Sequence, residues 1–129
     1  MAEKVLTIFE KPIYLSFEPV DPHLFATALG VADTPVETNV LLRDGAVTYA
    51  AMGQNCMGAT IAGQDVMGHD TSPGKLIEFM LAHGAKVYAV EEDLKARGLE
   101  TEALVRGVRP IPEADTVSLV EEHEAVLVW

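Results

Sequence analysis

The sequence predicts an α/β/α sandwich, in which a mainly parallel sheet of roughly five strands is covered by helices on both faces. Three observations lead to this fold class. Short apolar segments rich in β-branched residues alternate along the chain with segments of helical periodicity. The connections between the apolar segments are too long for hairpins, so consecutive strands are expected to run parallel. The helical segments begin at capping residues and end at glycines.

Four apolar segments are predicted to be buried strands of this sheet. They cover residues 5–9, 39–42, 86–90 and 126–129. Residues 13–17 alternate between apolar and polar with period two, which predicts an edge strand or an extended arm. Residues 109–111 form a segment that is too short and too close to prolines to be assigned.

Two helices are predicted from an N-cap residue followed by proline, with a glycine at the end. The first follows Asp21, covers residues 23–29 and is expected to end at Gly30. The second follows Ser72 and is expected to end at Gly84, because apolar residues recur at helical spacing between them.

Two further helical segments are predicted over residues 46–52 and 91–97, and each is followed by a glycine. The first of them comes after an Asp-Gly turn at Asp44. Strands that alternate with helices in this way give a flavodoxin-like outline. A chain of 129 residues has the usual size of one domain, so we expect a single domain over residues 1–129.

The charge of the chain argues against nucleic acids and membranes as partners. Asp and Glu number 20 against nine Lys and Arg, which gives a net charge of −11 and a surface that repels phosphate. No apolar run approaches the roughly 20 residues of a membrane span, and the first residues do not resemble a signal peptide. We therefore expect a cytoplasmic protein with no direct nucleic-acid or membrane contact.

Residues 53–71 form a long segment without a convincing helix or strand pattern. Loops of this length in compact domains are usually functional or mobile. The segment contains a GxxxxG pattern, but His69 and Asp70 follow it where a phosphate-binding loop has Lys and Ser or Thr. The chain also lacks GxGxxG, CxxC, HxxxH and GxSxG motifs, so no cofactor is expected.

Cys56 is the candidate catalytic residue, because a lone thiol in a long glycine-rich loop can accept or carry sulfur as a persulfide. The alternative is a small buried apolar side chain, which free cysteines often are. Only His69, or the N-terminus of a helix such as the one starting at Pro73, would favour the thiolate, since the loop contains no Lys or Arg. Cys56, Met57, Met67 and His69 share no recognised ligand spacing, so no metal site is expected.

Other polar residues have structural interpretations. Glu91, Glu92 and Asp93 begin a predicted helix, where carboxylates stabilise the helix dipole, although a catalytic carboxylate pair is an alternative. Three histidines are interpreted as solvated or as capping helix ends: His23, His83 and His123. Trp129 is expected in the core or in a subunit contact, because an exposed tryptophan would lose up to about 3 kcal/mol of favourable burial free energy. The mean hydropathy of +0.19 indicates more apolar residues than one small sheet can cover, and together with Trp129 it predicts an oligomer.

Three segments carry a resemblance to a known family. They resemble parts of the DsrE/DsrF/DsrH-like sulfur-relay proteins, whose other branch is TusD/TusC/TusB. The segments are residues 41–47 with Gly53 and Gln54, residues 84–99 with the sequence "ARGL", and residues 117–129. The first segment is similar to a DsrF or TusC subunit and the last to DsrH or TusB. The resemblance implies hetero-hexamers or related homo-oligomers that transfer persulfide in the cytoplasm, in sulfur oxidation or tRNA thiolation, with a protein as sulfur donor or acceptor.

The resemblance also implies where the family cysteine would stand. DsrE-type and TusD-type subunits place it at the end of the strand before the "ARG" helix, and the matching position here is Val90, which cannot form a persulfide. The DsrF-like type lacks this cysteine. We therefore expect a sulfurtransferase-like protein if Cys56 carries persulfide, and a non-catalytic, complex-building subunit otherwise. The alternative is a flavodoxin-like small-ligand-binding module whose mobile loop, residues 53–71, closes over an anion or cofactor.

Overall fold

The computed structural model describes residues 3–12, 22–53, 60–62, 64–65 and 72–129. Seven strands lie in these ranges: β1 (Lys4–Phe9), β2 (Glu37–Leu42), β3 (Thr60–Ile61), β4 (Gln64–Asp65), β5 (Val87–Val90), β6 (Arg109–Ile111) and β7 (Ala125–Val128). Five of them form the main sheet in the order β6-β5-β2-β1-β7, and all neighbours in it are parallel. This confirms the predicted α/β fold.

The helices connect the strands of the main sheet. The α-helices are α1 (Pro22–Asp33), α2 (Pro73–Ala82), α3 (Glu91–Ala96) and α4 (Thr116–Glu121). Three short 3-10 helices accompany them: Asp44–Ala50, Thr101–Ala103 and Glu113–Asp115. Because parallel strands need crossover connections, each main-sheet strand after β1 is reached through helical segments.

The two faces of the main sheet carry apolar clusters of unequal size. On one face, side chains from α1, α2, α3 and the 3-10 helix Asp44–Ala50 pack over alternate strand residues. The rings of Phe9 and Tyr49 meet there edge to face, with centroids 6.4 Å apart. On the other face, Leu6 and Ile8 of β1 pack with Leu119 of α4. The period-two alternation of β1 thus divides its side chains between two layers of helices.

The strand predictions agree with the structure to within two residues at each boundary. The segment 109–111, which the sequence left without an assignment, forms the edge strand β6. The predicted edge strand or arm at 13–17 lies outside the described residues. Within the segment 53–71, the expectation of no strand is wrong at β3 and β4, which pair antiparallel with Thr60 opposite Asp65.

Most predicted helix boundaries are confirmed. The Ser72 hydroxyl accepts a hydrogen bond from the Lys75 N–H at 3.4 Å at the start of α2. Gly84 and Gly98 follow α2 and α3 in left-handed conformations, with φ of +92° and +68°. The segment predicted as a helix over 46–52 is a 3-10 helix that begins at Asp44.

The expected end of α1 at Gly30 is wrong. The helix continues through Gly30 to Asp33. The Thr34 hydroxyl and N–H both donate to the Gly30 carbonyl, at 2.7 and 3.2 Å. Pro35 explains the true end, because a residue before proline avoids the helical conformation. The proline therefore ends the helix, and the glycine lies in its last turns.

Candidate functional site

The carboxyl ends of the parallel strands meet along one edge of the main sheet, here called the carboxyl edge. Ligands of open α/β sheets bind outside this edge. Charged residues follow the strands there: Glu10 after β1, Arg43 after β2 and the first turn of α3 after β5. The carboxyl edge is therefore the expected location of a functional site.

Val90 is the last residue of β5 and the N-cap of α3. The resemblance places the family cysteine at such a position, directly between a strand and the helix that follows. The Val90 side chain is 1% exposed and packs in the smaller apolar cluster with Leu41 and Leu119. A buried aliphatic side chain supplies no nucleophile, so this position holds the strand against α4.

Asp44 joins the turn after β2 to α3. Its backbone has φ of +52°, a left-handed conformation that costs a side-chain-bearing residue free energy. The Asp44 N–H donates to Asp93 Oδ2 at 2.7 Å, and Arg97 Nη2 donates to Asp44 Oδ1 at 2.9 Å. A Cβ on the next residue, Gly45, would lie 2.8 Å from Pro12 Cδ, so a side chain there would force Pro12 to shift. These contacts hold a strained turn against the helix.

Arg43 extends the same arrangement across the sheet. Its guanidinium lies 3.8 Å from Glu10 Oε2 and 3.7 Å from Glu113 Oε1. The Glu113 N–H in turn donates to both oxygens of Glu92, at 3.0 and 3.1 Å. The ends of β1, β2, β5 and β6 are thereby linked by side chains. Sequence reasoning missed this network, although a charged pair directly after a buried strand signals it.

The acidic start of α3 has structural partners. Asp93 and Glu92 accept hydrogen bonds from backbone N–H groups of other segments, and Glu91 lies 3.6 Å from Lys95 in an i,i+4 ion pair. These contacts agree with the structural interpretation of the three carboxylates. Since carboxylates outnumber the cationic side chains at the carboxyl edge even with Lys11 and Lys95 counted beside Arg43 and Arg97, the edge attracts cationic groups rather than anions.

A cavity of about 420 Å³ opens beside α3, between this helix and β6. Apolar side chains of Leu94, Leu99 and Pro110 contribute to its wall. Carboxylates of Glu91, Glu100 and Glu102 also line it, and they outnumber the one cationic side chain of the wall, Lys95. This acidic lining disfavours the anionic ligand that the small-ligand alternative considers.

The predicted catalytic residue Cys56 lies outside the described residues, as do Met57, Met67 and His69. Among the described parts of the chain, no group of His, Cys, Asp or Glu has the arrangement of a metal site. The position of Cys56 relative to the carboxyl edge therefore stays a prediction.

Two of the three histidines contact carbonyl oxygens at helix ends, as expected. His83 Nδ1 lies 2.9 Å from the Phe79 carbonyl oxygen, and His123 Nδ1 lies 2.7 Å from that of Leu119. A carbonyl only accepts, so these nitrogens carry protons. His23 instead stacks on the Trp129 ring, with centroids 3.9 Å apart and planes 9° apart.

A buried polar network lies near the amino ends of the strands. Asn39 is 1% exposed, accepts the Lys86 N–H at 3.0 Å and donates to Glu37 Oε2 at 2.9 Å. Its amide nitrogen is also 3.0 Å from His123 Nε2, which accepts because Nδ1 carries the proton. The hydrogen bond from Asn39, with the charge of Lys4, lowers the pKa of Glu37 below its ordinary value.

The expectation that Trp129 lies in the core is wrong, because its side chain is 45% exposed. Its backbone continues the pairing of β7 with β1. Stacking on His23 covers one face of the indole. The expectation of a subunit contact at Trp129 stays a prediction.

Comparisons with known proteins bear on this architecture. Residues 65–126 match the model of the family described as DsrH-like protein, a span that contains α2, β5, α3, β6 and α4. No curated protein matches the sequence significantly. The crystal structure of the YchN protein from E. coli aligns with a TM-score of 0.73 at 19% identity, over 98% of this chain and 99% of that one. This likeness shows a shared fold.

In the part of the chain that the structure describes, no helix is long and apolar enough to cross a bilayer. The DsrH-like match covers the strand, the helix and the Val90 position on which the resemblance depends, and the fold is that of YchN. Both findings support the predicted resemblance to the DsrE/DsrF/DsrH-like proteins, with the DsrH-like match lying in the second half of the chain.

Proposed function

We propose that this chain is a subunit of a cytoplasmic sulfur-relay system that transfers persulfide in sulfur oxidation or in tRNA thiolation. It acts as one domain, residues 1–129, in an oligomer with DsrE/F/H-like subunits. The observation that carries the proposal is the DsrH-like match over residues 65–126. That span includes β5 and α3, the two elements between which related subunits hold their cysteine.

The carboxyl edge acts as a docking face in this proposal. Val90 is buried and unreactive, and the network of Arg43, Asp44, Asp93, Arg97 and Glu113 holds the loops around it in place. A partner that exposes a cysteine and basic side chains fits this acidic edge, because opposite charges steer association.

Cys56 is the proposed sulfur carrier, since it is the only thiol in the chain. Its thiolate attacks the outer sulfur of a donor persulfide. A sulfur–sulfur bond forms on Cys56 while the donor's sulfur–sulfur bond breaks, and the donor leaves as a thiolate. The proton of the donor persulfide stays on the transferred sulfur, so the step needs no oxidant or reductant.

Intact-mass spectrometry tests the carrier role. After incubation with glutathione persulfide, the folded protein should gain roughly 32 Da or multiples of it, from sulfur added to the thiol. Cys56→Ser should show no gain and should keep its oligomeric state. An unchanged wild-type mass, under conditions that load a DsrE-type subunit, would reject Cys56 as a carrier and leave the complex-building role.

The small-ligand-binding alternative concerns the segment 53–71, of which the structure describes only residues 53, 60–62 and 64–65. It stays a prediction of the sequence. The acidic lining of the cavity beside α3 supports the relay proposal over an anion-binding module, because a carboxylate-rich wall repels anions.

A further inference from the structure

The two edges of the main sheet differ in how they are protected. The β6 edge contains Arg109 and Pro110, and a charged residue and a proline are the usual devices that prevent edge-to-edge pairing. The β7 edge reads Ala-Val-Leu-Val and continues into Trp129, with no charged side chain, proline or glycine. Among the described residues, β7 pairs with β1 alone.

The backbone of β7 presents hydrogen-bonding groups on its outer side. The Trp129 N–H donates to the Ile8 carbonyl and its own carbonyl accepts the Glu10 N–H, both at 2.8 Å. Trp129 therefore directs its backbone groups towards β1. Since these groups alternate along a strand, Leu127 also directs them towards β1, while Val126 and Val128 direct theirs away from it.

The side chains of this edge are apolar and accessible. Leu127, Val128 and Trp129 are 50%, 53% and 45% exposed. Leu127 and Trp129 line a cavity of about 340 Å³ against α1, and Val126 packs against the smaller cluster on the opposite face. An added strand would therefore find apolar surface on both faces of the sheet.

We propose that β7 pairs antiparallel with β7 of a second copy of this chain, about a two-fold axis at Leu127. Val126 then exchanges backbone hydrogen bonds with Val128 of the partner subunit, and the reverse pair does the same. Leu127 faces Leu127 of the partner subunit, and Trp129 lies opposite Ala125 of the partner subunit. The two five-stranded sheets become continuous.

The charge of the chain favours a second copy at this place. A net charge of −11 makes most pairs of surfaces repel each other when two copies meet. Residues 125–129 carry no charged side chain, so the side chains of this edge add no like-charge repulsion when it faces itself. A two-fold contact also requires a self-complementary surface, which an unprotected edge strand provides. The inference rests on the oligomeric part of the proposed function, whereas its tests involve no sulfur transfer.

Cysteine cross-linking tests the register. In a Cys56→Ser background, Leu127→Cys places two thiols opposite each other at a non-hydrogen-bonded pair, where Cα atoms lie about 4.5 Å apart, within the range of a disulfide. Oxidised glutathione should convert this variant to a covalent dimer. The control Val117→Cys lies on α4 at a side chain that is 64% exposed, and it should stay mostly uncross-linked. Equal cross-linking of the two variants would overturn the proposal.

Sedimentation of two Val128 variants tests the backbone pairing. Val128→Pro removes an outward N–H and leaves the bonds to β1 intact, while Val128→Thr keeps both the N–H and the shape. The wild type and the threonine variant should sediment with the same even number of copies. The proline variant should have half that number and an unchanged circular dichroism spectrum. A monomeric wild type, or a proline variant with the wild-type mass, would overturn the proposal whatever the outcome of sulfur loading.

Discussion

Asp44 shows how a single residue connects the carboxyl edge to α3. Steric repulsion involving its Cβ disfavours the left-handed backbone conformation, while its carboxylate accepts a 2.9 Å hydrogen bond from Arg97. Sequence reasoning identified the Asp-Gly turn but not this strain, because the φ of a turn residue depends on tertiary contacts that lie far along the chain.

Substitution of Asp44 separates the strain from the ion pair. Asp44→Ala and Asp44→Gly both lose the contact with Arg97, but glycine adopts positive φ without the Cβ penalty. We expect the alanine variant to be less stable than the glycine variant by about 1 kcal/mol. Urea denaturation of both variants measures the difference. Equal stabilities would show that the left-handed conformation at this position costs little.

Glu37 is the residue whose titration affects the stability of the fold. Its folded pKa lies below the ordinary value of 4.5, mainly because Asn39 donates a hydrogen bond to the carboxylate. Ionised Glu37 therefore stabilises the fold at pH above 4.5, and this contribution is lost as the pH falls through the folded pKa.

Glu37→Gln tests this dependence on pH. At neutral pH the variant should unfold at a lower denaturant concentration than the wild type, and the gap should shrink as the pH falls below 4.5. Glu102→Gln is the matched control, because the exposed Glu102 carboxylate pairs with no described cation. A gap that stays constant with pH would contradict the assigned cause.

At the scale of elements, local signals predicted most of the fold. Ser72, Gly84 and Gly98 act within one turn of a helix, so their roles can be read from the sequence. The strand β6 and the pair β3 and β4 were not predicted, because strands of two or three residues depend on their neighbours in space rather than on their own periodicity. The composition was enough to identify Cys56 as the candidate thiol, but it does not predict which residues surround that thiol.

The glycine within α1 gives a test at this scale. An added Cβ at Gly30 meets no described atom within 4 Å, and the residue lies in a helix. Gly30→Ala should therefore raise the free energy of unfolding by about 0.5 to 1 kcal/mol. Gly84→Ala also meets no described atom, but its φ of +92° disfavours alanine, so this control should lower stability. Destabilisation by Gly30→Ala would show that the cavity against α1 has no room for a methyl group at this position.

The whole molecule combines a well-covered sheet face with a sparsely covered one. Three α-helices contribute to the larger cluster, whereas the six-residue α4 serves the smaller one. Exposed Val117, Val128 and Trp129 lie on α4 and at the β7 edge. A protein with this distribution of apolar surface and an acidic carboxyl edge suits assembly with other subunits, as the proposed function requires.

The most direct test of the central claim follows sulfur from one protein to another. The wild-type chain is loaded with glutathione persulfide, desalted and mixed with a reduced DsrE-like subunit that has cysteine at the position of Val90. Intact-mass spectra should show a loss of roughly 32 Da from this chain and an equal gain on the partner, and Cys56→Ser should transfer nothing. A loaded chain that keeps its sulfur in the presence of the partner would contradict a role as a sulfur carrier in a relay.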